Sequence, residues 1–226
     1  MRINSNKYKT SFTSTPLHCV NLKKIVTVAD NSPILAVFSS LNPKSRGDRN
    51  ALLQIKDTWR KSQLVRNFCT SFLENQSNLH QFNAIELVNE KPLGERIVGL
   101  IKTFPSYNNK EKGLYLATIL TKPEFSAHNQ GRTIKDIGEI MLGEIFNYAK
   151  KTQAHFIEFT SIDDNFYSRV FSKASVHAVE EDASHYCEYL SGEFFIPQGE
   201  FDKYLNYCKK QYGLDFSENL KGGIEI

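Results

Sequence analysis

The sequence predicts an α/β (α+β) chain with a mixed, mostly antiparallel central sheet flanked by helices on both faces. Three observations carry that expectation. Apolar residues fall at helical spacing from Leu52 to Leu73. Three strand-like runs with short, turn-rich connections then fill 82–121, the pattern of an antiparallel meander. Finally, a strand–helix–strand unit spans 113–162, and a crossover of that kind sets its strands parallel, directly or with a neighbour between.

Taken in order, residues 1–23 are polar and Ser/Thr/Asn-rich and read as a flexible N-terminal arm. The runs "KIVTVA" and "ILAVFSS", separated by "DNSP", suggest a hairpin, and the loop "NPKSRGDRN" offers Asp48 or Asn50 as a helix cap. Leu52, Ile55 and Trp59 share one helical face, and Leu64, Val65, Phe68, Phe72 and Leu73 resume the pattern, so two helices or one broken helix are expected. "FNAIELVN" (82–89), "RIVGLIKTF" (96–104) and "GLYLATILT" (113–121) are the meander, with "EKPLGE" a turn and "PSYNNKEK" a loop. Ile137, Ile140, Met141, Leu142, Ile145, Phe146 and Ala149 mark a long helix, followed by the strand "AHFIEFTSI" (154–162). "DDNFYSRVFSKAS" reads as a helix capped by Asp163 or Asp164, with Tyr167, Val170, Phe171 and Ala174 inward. "VHAVEE" and "SHYCEYLS" are expected closing strands. Phe201, Tyr204, Leu205 and Cys208 mark a last helix, which Gly213 can end. The organisation expected is an arm (1–23), one domain (24–195) and a helical extension (196–226) packed on the sheet or at a homodimer interface.

With 226 residues, 40% hydrophobic and 23% charged, the chain can bury a core without disulfide or metal staples. A net charge of +3, from 28 Lys+Arg against 25 Asp+Glu, lacks the clustered basic face that nucleic acid requires. Cys19, Cys69, Cys187 and Cys208 form no CxxC pair, and no apolar N-terminal segment resembles a signal, so reduced thiols in a cytoplasmic protein are expected. No apolar run reaches membrane-spanning length, and His177 and His185 lack partners at zinc-ligand spacing.

The chemistry-bearing stretch is "NQGRTIKDIGEIMLG" (129–143), a polar loop entering an amphipathic helix. Backbone N–H groups and the macrodipole at such a helix start attract phosphate. "ILTKPEF" (119–125) precedes it, with Pro123, Glu124 and Phe125 in the order of a "V-x-P-E-Y-R" strand end. "DIGEIMLGEIFNYAKKTQA" (136–154) fits a G-I-G-x-x-L-L helix with an Ala-Lys-Lys close, and "DNFYSRVFSKASV" (164–176) is similar to "N-x-x-A-x-x-F-Y-x-K-x-G-F". On these motifs, within 113–176, and on the element order of roughly 34–190, the chain resembles the GNAT superfamily of N-acetyltransferases.

That resemblance implies an acyl-CoA-dependent N-acyltransferase using acetyl-CoA, with an amine of a small molecule, peptide or protein attacking directly in a ternary complex. It implies cofactor contacts at the strand end (Ile119, Leu120, Thr121), with the thioester carbonyl meeting a backbone N–H near Ile119 or Leu120. It implies pyrophosphate contacts along the loop and helix start (Arg132, Thr133, Ile134, Lys135, Asp136, Ile137, Gly138) and further contacts at Asn165 and Phe171. No metal is implied. Three departures stand out: the first loop glycine falls on Asp136, the usual tyrosine on Phe171 and the second motif's glycine on Ser175. A tyrosine at the Phe171 position commonly protonates the departing thiolate, a step phenylalanine cannot perform. Tyr167, four residues earlier on the same helical face, is the substitute acid. Strand 113–121 carries no carboxylate, so Tyr115 and Glu124, with Glu86 on an earlier strand, or an ordered water chain to solvent, are the candidates for handling the amine's proton. The alternative reading is a GNAT-like fold without catalysis, acting as a binding or regulatory module.

Overall fold

The structure, a computed structural model, describes residues 15–24, 34–59, 62–74, 79–88, 91–108, 110–126, 128–161, 164–181 and 192–214. Most of "KIVTVA", all of "SHYCEYLS" and Asp163 lie outside these residues. The chain divides into two compact units. Of the described residues, the first holds those up to Lys102 with Thr118–Gly138; the second holds Thr103–Ala117 and those from Glu139 to Leu214.

In the first unit, β1 (Thr15–Lys24) pairs antiparallel with β2 (Ile34–Ser40), Val20 facing Ala36. The expected arm therefore contributes a strand. In its sequence Leu17, Cys19, Val20 and Leu22 are interrupted by His18 and Asn21, so no clean alternation announces it. Helix α1 (Arg46–Thr58) is capped by Ser45, whose hydroxyl accepts the Asp48 N–H at 3.3 Å. Asp48, expected as the cap, instead sits buried in the first turn and accepts the Asn42 N–H at 2.8 Å. Helix α2 (Gln63–Glu74) leads to β3 (Gln81–Leu87), antiparallel to β2. The expected turn "EKPLGE" contains one helical turn, α3 (Leu93–Arg96). It places the Arg96 guanidinium 3.3 Å from Glu86, both buried.

Strands β4 (Ile97–Asn108) and β5 (Glu111–Thr121) run through both units. Most of the expected loop "PSYNNKEK" is strand: Pro105 and the residues to Asn108 lie within β4, and Glu111 and Lys112 within β5. A connection this short reverses the chain antiparallel. Leu52, Ile55, Trp59, Phe68, Phe72, Phe82, Leu100 and Leu120 form the first unit's core, with Phe82 edge-on to Phe68 and Phe72. A two-residue strand, β6 (Ile134–Lys135), pairs with Lys23 and Lys24 of β1, and the strands follow in the order β6-β1-β2-β3-β4-β5.

In the second unit, α4 (Ile137–Lys151) connects β5 to β7 (Phe156–Ser161), and the two strands pair in parallel as the crossover requires. Helix α5 (Asp164–Ala174), β8 (Val179–Glu181), β9 (Gly192–Pro197) and α6 (Phe201–Tyr212) complete it. Both neighbouring pairs, β7 with β9 and β9 with β8, are antiparallel. Sequence reading missed β9, "GEFFIP", whose six residues fall between glycine and proline and look like the approach to a helix. The boundary expected between 195 and 196 falls inside it. Helices α4, α5 and α6 share an aromatic core: Phe146 stacks on Tyr204 with centroids 4.5 Å apart and meets Phe201 edge-on at 5.7 Å. No described helix is long and apolar enough to cross a membrane.

Candidate functional site

The loop into α4, in the first unit, is braced by its own side chains. Asn129 Oδ1 accepts the Gly131 N–H at 2.9 Å, and Asn129 Nδ2 donates to the Glu124 carbonyl at 3.1 Å. Arg132 and Lys135 are half-buried, Thr133 is exposed, and Ile134 is buried as part of β6. Asp136, the residue immediately before α4, has φ 64°. That is the left-handed region, open to glycine and, among other residues, best tolerated by asparagine and aspartate. Where the resemblance expects glycine, the aspartate thus holds a backbone conformation that glycine adopts freely, and it adds a Cβ and a carboxylate next to the helix start. Ile137, buried, and Gly138, half-buried, open α4, where the first N–H groups of any α-helix lack an acceptor within the helix.

At the end of β5, Leu120 is buried in the first unit's core, and Ile119 and Thr121 are half-buried. The Lys122 N–H donates to the Val98 carbonyl at 2.9 Å. Glu124, in a single 3-10 turn, is exposed and pairs with Lys122 at 2.8 Å. Glu86, fully buried against Arg96, is committed to that ion pair.

In the second unit, β5 and β7 register at only two positions, Leu114 with Ile157 and Tyr115 with Glu158, although β7 continues to Ser161. Tyr115 stacks on Phe104 at 4.8 Å, and its hydroxyl lies 3.0 Å from Thr160 Oγ1. Ser106 donates to Glu158 Oε1. Glu158 also stands opposite Phe195 in the β7–β9 ladder, so Phe104, Ser106, Tyr115, Glu158, Thr160 and Phe195 share one half-buried sheet face. The other face of β7, with Ile157 and Phe159, is buried. Sequence reading did not single out Glu158. Its signal was present in the alternation of "FIEFTS", but β7 neighbours β5 in space and not in sequence.

Asn165 is exposed on α5. Tyr167 is half-buried, its ring 4.5 Å from Phe159 and 6.1 Å from Phe171. Phe171 is buried among Phe146, Phe194 and Tyr204. Helix α5 ends at Ser175, which has φ 54°. The Val176 N–H donates to the Phe171 carbonyl at 2.9 Å and the Ser175 N–H to Ser172 at 3.1 Å, a Schellman closure. Here too the residue replacing an expected glycine keeps the left-handed backbone. Gln153, with φ 56°, closes α4 in the same manner.

Lys173 has a structural partner: its Nζ lies 3.0 Å from Glu139 Oε1. Glu139 Oε2 accepts the hydroxyls of Tyr212 at 2.6 Å and Tyr207 at 2.8 Å, and its carbonyl accepts that of Tyr204 at 2.9 Å. Burial raises the Glu139 pKa, but the hydrogen bonds from Tyr212, Lys173 and Tyr207 together hold it below the usual carboxylate value. Burial raises Tyr207 to about 12 and Tyr204 well above an ordinary tyrosine. This network ties α5 and α6 to α4.

Among the described residues, no group of His, Cys, Asp and Glu could hold a metal ion. No protein-family model and no curated protein matches the sequence. Solved structures do match the fold. The structure of AtaTR bound with AcCoA matches with a TM-score of 0.51 at 9% identity, covering 74% of this chain and 96% of that one. The NatC complex bound to Gag peptide and CoA gives 0.51 at 10%, covering 72% and 98%. A chimera of the spermidine N-acetyltransferase SpeG from Vibrio cholerae and hSSAT gives 0.50 at 13%, covering 76% and 98%. The chain has the GNAT fold.

Proposed function

We propose that this GNAT-fold chain is an acyl-CoA-dependent N-acyltransferase, with acetyl-CoA as donor and an amine as acceptor. The observation that carries the reading is Asp136. Immediately before the helix start that would take the phosphate, it holds left-handed backbone, a state that glycine adopts freely and aspartate tolerates. Coenzyme A bound to AtaTR and to NatC supports the donor. The α4 N–H groups at Ile137 and Gly138 would take the pyrophosphate, with Arg132 and Lys135 adding charge. Asn165 and Phe171 stay cofactor-contact candidates on the resemblance alone. Ile119 is the better of the two carbonyl donors: N–H groups alternate along a strand, and Lys122 donates toward β4, so Leu120 points the same way and Ile119 opposite.

Attack needs a neutral amine, so a base must take its proton. Glu158 suits this best, being a half-buried carboxylate on a sheet face beside Tyr115 and Thr160. Glu124, already paired with Lys122 in solvent, is weaker. Tyr167 remains the candidate for protonating the thiolate. Isothermal titration with acetyl-CoA and CoA tests the reading; no binding at millimolar ligand would overturn it. Once an acceptor is found, Glu158→Gln should lower kcat about 100-fold or more. The non-catalytic module is kept as a second reading because Phe171 is buried among aromatics and has no proton to give; CoA binding without turnover over a panel of amines would favour it.

A further inference from the structure

A cavity of about 520 Å³ lies in the first unit. Its walls are Lys56 from α1, Gln63, Arg66, Asn67, Thr70 and Ser71 from α2, and Lys102 from β4. Among the described residues, three cations from three elements thus face one space, and no acidic residue lines it. The other described lining residues supply amides and hydroxyls, and no aromatic ring is among them. Lys102 is half-buried: its Nζ donates to the hydroxyl of buried Ser71 at 2.8 Å and lies 5.9 Å from the Phe82 ring centroid. Burial lowers its pKa, so its charge is held there at a cost that an anion would relieve.

We propose that this cavity binds a phosphate-bearing small molecule. Guanidinium and ammonium groups converging with hydroxyl and amide donors match phosphate oxygens. A concave volume of this size suits a small molecule, whereas a nucleic acid needs an extended basic stripe. The site stands on the cavity alone and is independent of the acyl-CoA reading.

Isothermal titration of the full chain with inorganic pyrophosphate tests it, because pyrophosphate is also a plausible guest of the α4 loop. Saturable binding is expected, weakened about tenfold or more by Lys102→Gln with Arg66→Gln, and about threefold by Arg66→Gln alone. Arg66 is exposed, so its variant should melt like the parent and keeps the test open if Lys102→Gln unfolds. Arg132→Gln with Lys135→Gln should leave this binding in place. Absence of saturable binding, binding lost through the α4-loop pair but not the cavity pair, or tighter cavity-dependent binding of a single-stranded oligonucleotide would each overturn the proposal.

Discussion

Asp136 and Ser175 differ in what they face but share one backbone state. Both stand where the resemblance expects glycine, and both have positive φ, 64° and 54°. Ser175 lies just beyond the end of α5, exposed, where the left-handed residue serves only to close the helix. Asp136 lies just ahead of α4, half-buried, where the same state also aims the first helical N–H groups. A lost glycine therefore has two separable consequences. The conformational one costs about 1 kcal/mol and applies at both ends. The one that concerns a ligand, through Cβ bulk and negative charge, applies only at Asp136.

The largest effects should come from residues that cannot adopt that state. Ser175→Val and Asp136→Val should each destabilise the chain by about 2 kcal/mol in urea titrations, since a β-branched residue is strained at positive φ. Exposed Ser175 makes the cleaner case, having little packing to lose. A valine tolerated without cost at either site would mean the backbone there is not left-handed, and the parallel would fail.

Next comes the carboxylate three residues beyond Asp136. Glu139 stands in the first turn of the same helix, yet it is buried and held by Tyr207, Tyr212 and Lys173. Glu139→Gln should cost about 2 kcal/mol, because three donors lose a charged acceptor. The pH dependence has a definite sign. The folded-state pKa is lowered from 4.5, so the unfolded chain binds this proton more readily. The stabilisation is present above about 4.5 and is lost as pH falls through the folded-state value. Urea midpoints from neutral pH downward should show this acid loss in the parent and a shallower one in Glu139→Gln. Equal acid limbs would show that the network does not depend on the ionised carboxylate.

The contrast also marks how far the sequence could be read. Period and spacing located α1, α2, α4, α5 and α6, and the crossover implied parallel β5 and β7. What it hid was short or interrupted: β1, broken by His18 and Asn21, and β9, squeezed between Gly192 and Pro197. At the candidate site, identity was legible and conformation was not. Asp136 and Ser175 read as lost glycines, because torsion angles leave no mark on residue type when aspartate or serine adopts them. Lys173 held its motif position, but its partner Glu139 lies thirty-four residues earlier and emerges only when α4 and α5 pack. Glu158 escaped notice because the crossover sets β5 and β7 parallel without fixing the register that brings it opposite Tyr115.

The smallest expected change discriminates most sharply. Replacing either residue by glycine relieves left-handed strain but widens the unfolded ensemble, so Ser175→Gly and Asp136→Gly should each stabilise the chain by only about 0.5–1 kcal/mol. In stability the two variants should look alike. In CoA titrations they should part: Ser175→Gly leaves affinity unchanged, whereas Asp136→Gly removes a negative charge and a Cβ from the helix start and tightens binding several-fold. Asp136→Asn completes the set, because it keeps the left-handed preference and the bulk while deleting the charge. If asparagine matches glycine, repulsion is what the aspartate adds; if only glycine tightens binding, clearance is. Unchanged affinity in both would make Asp136 a helix-start residue as structural as Ser175 and erase the distinction between the two sites.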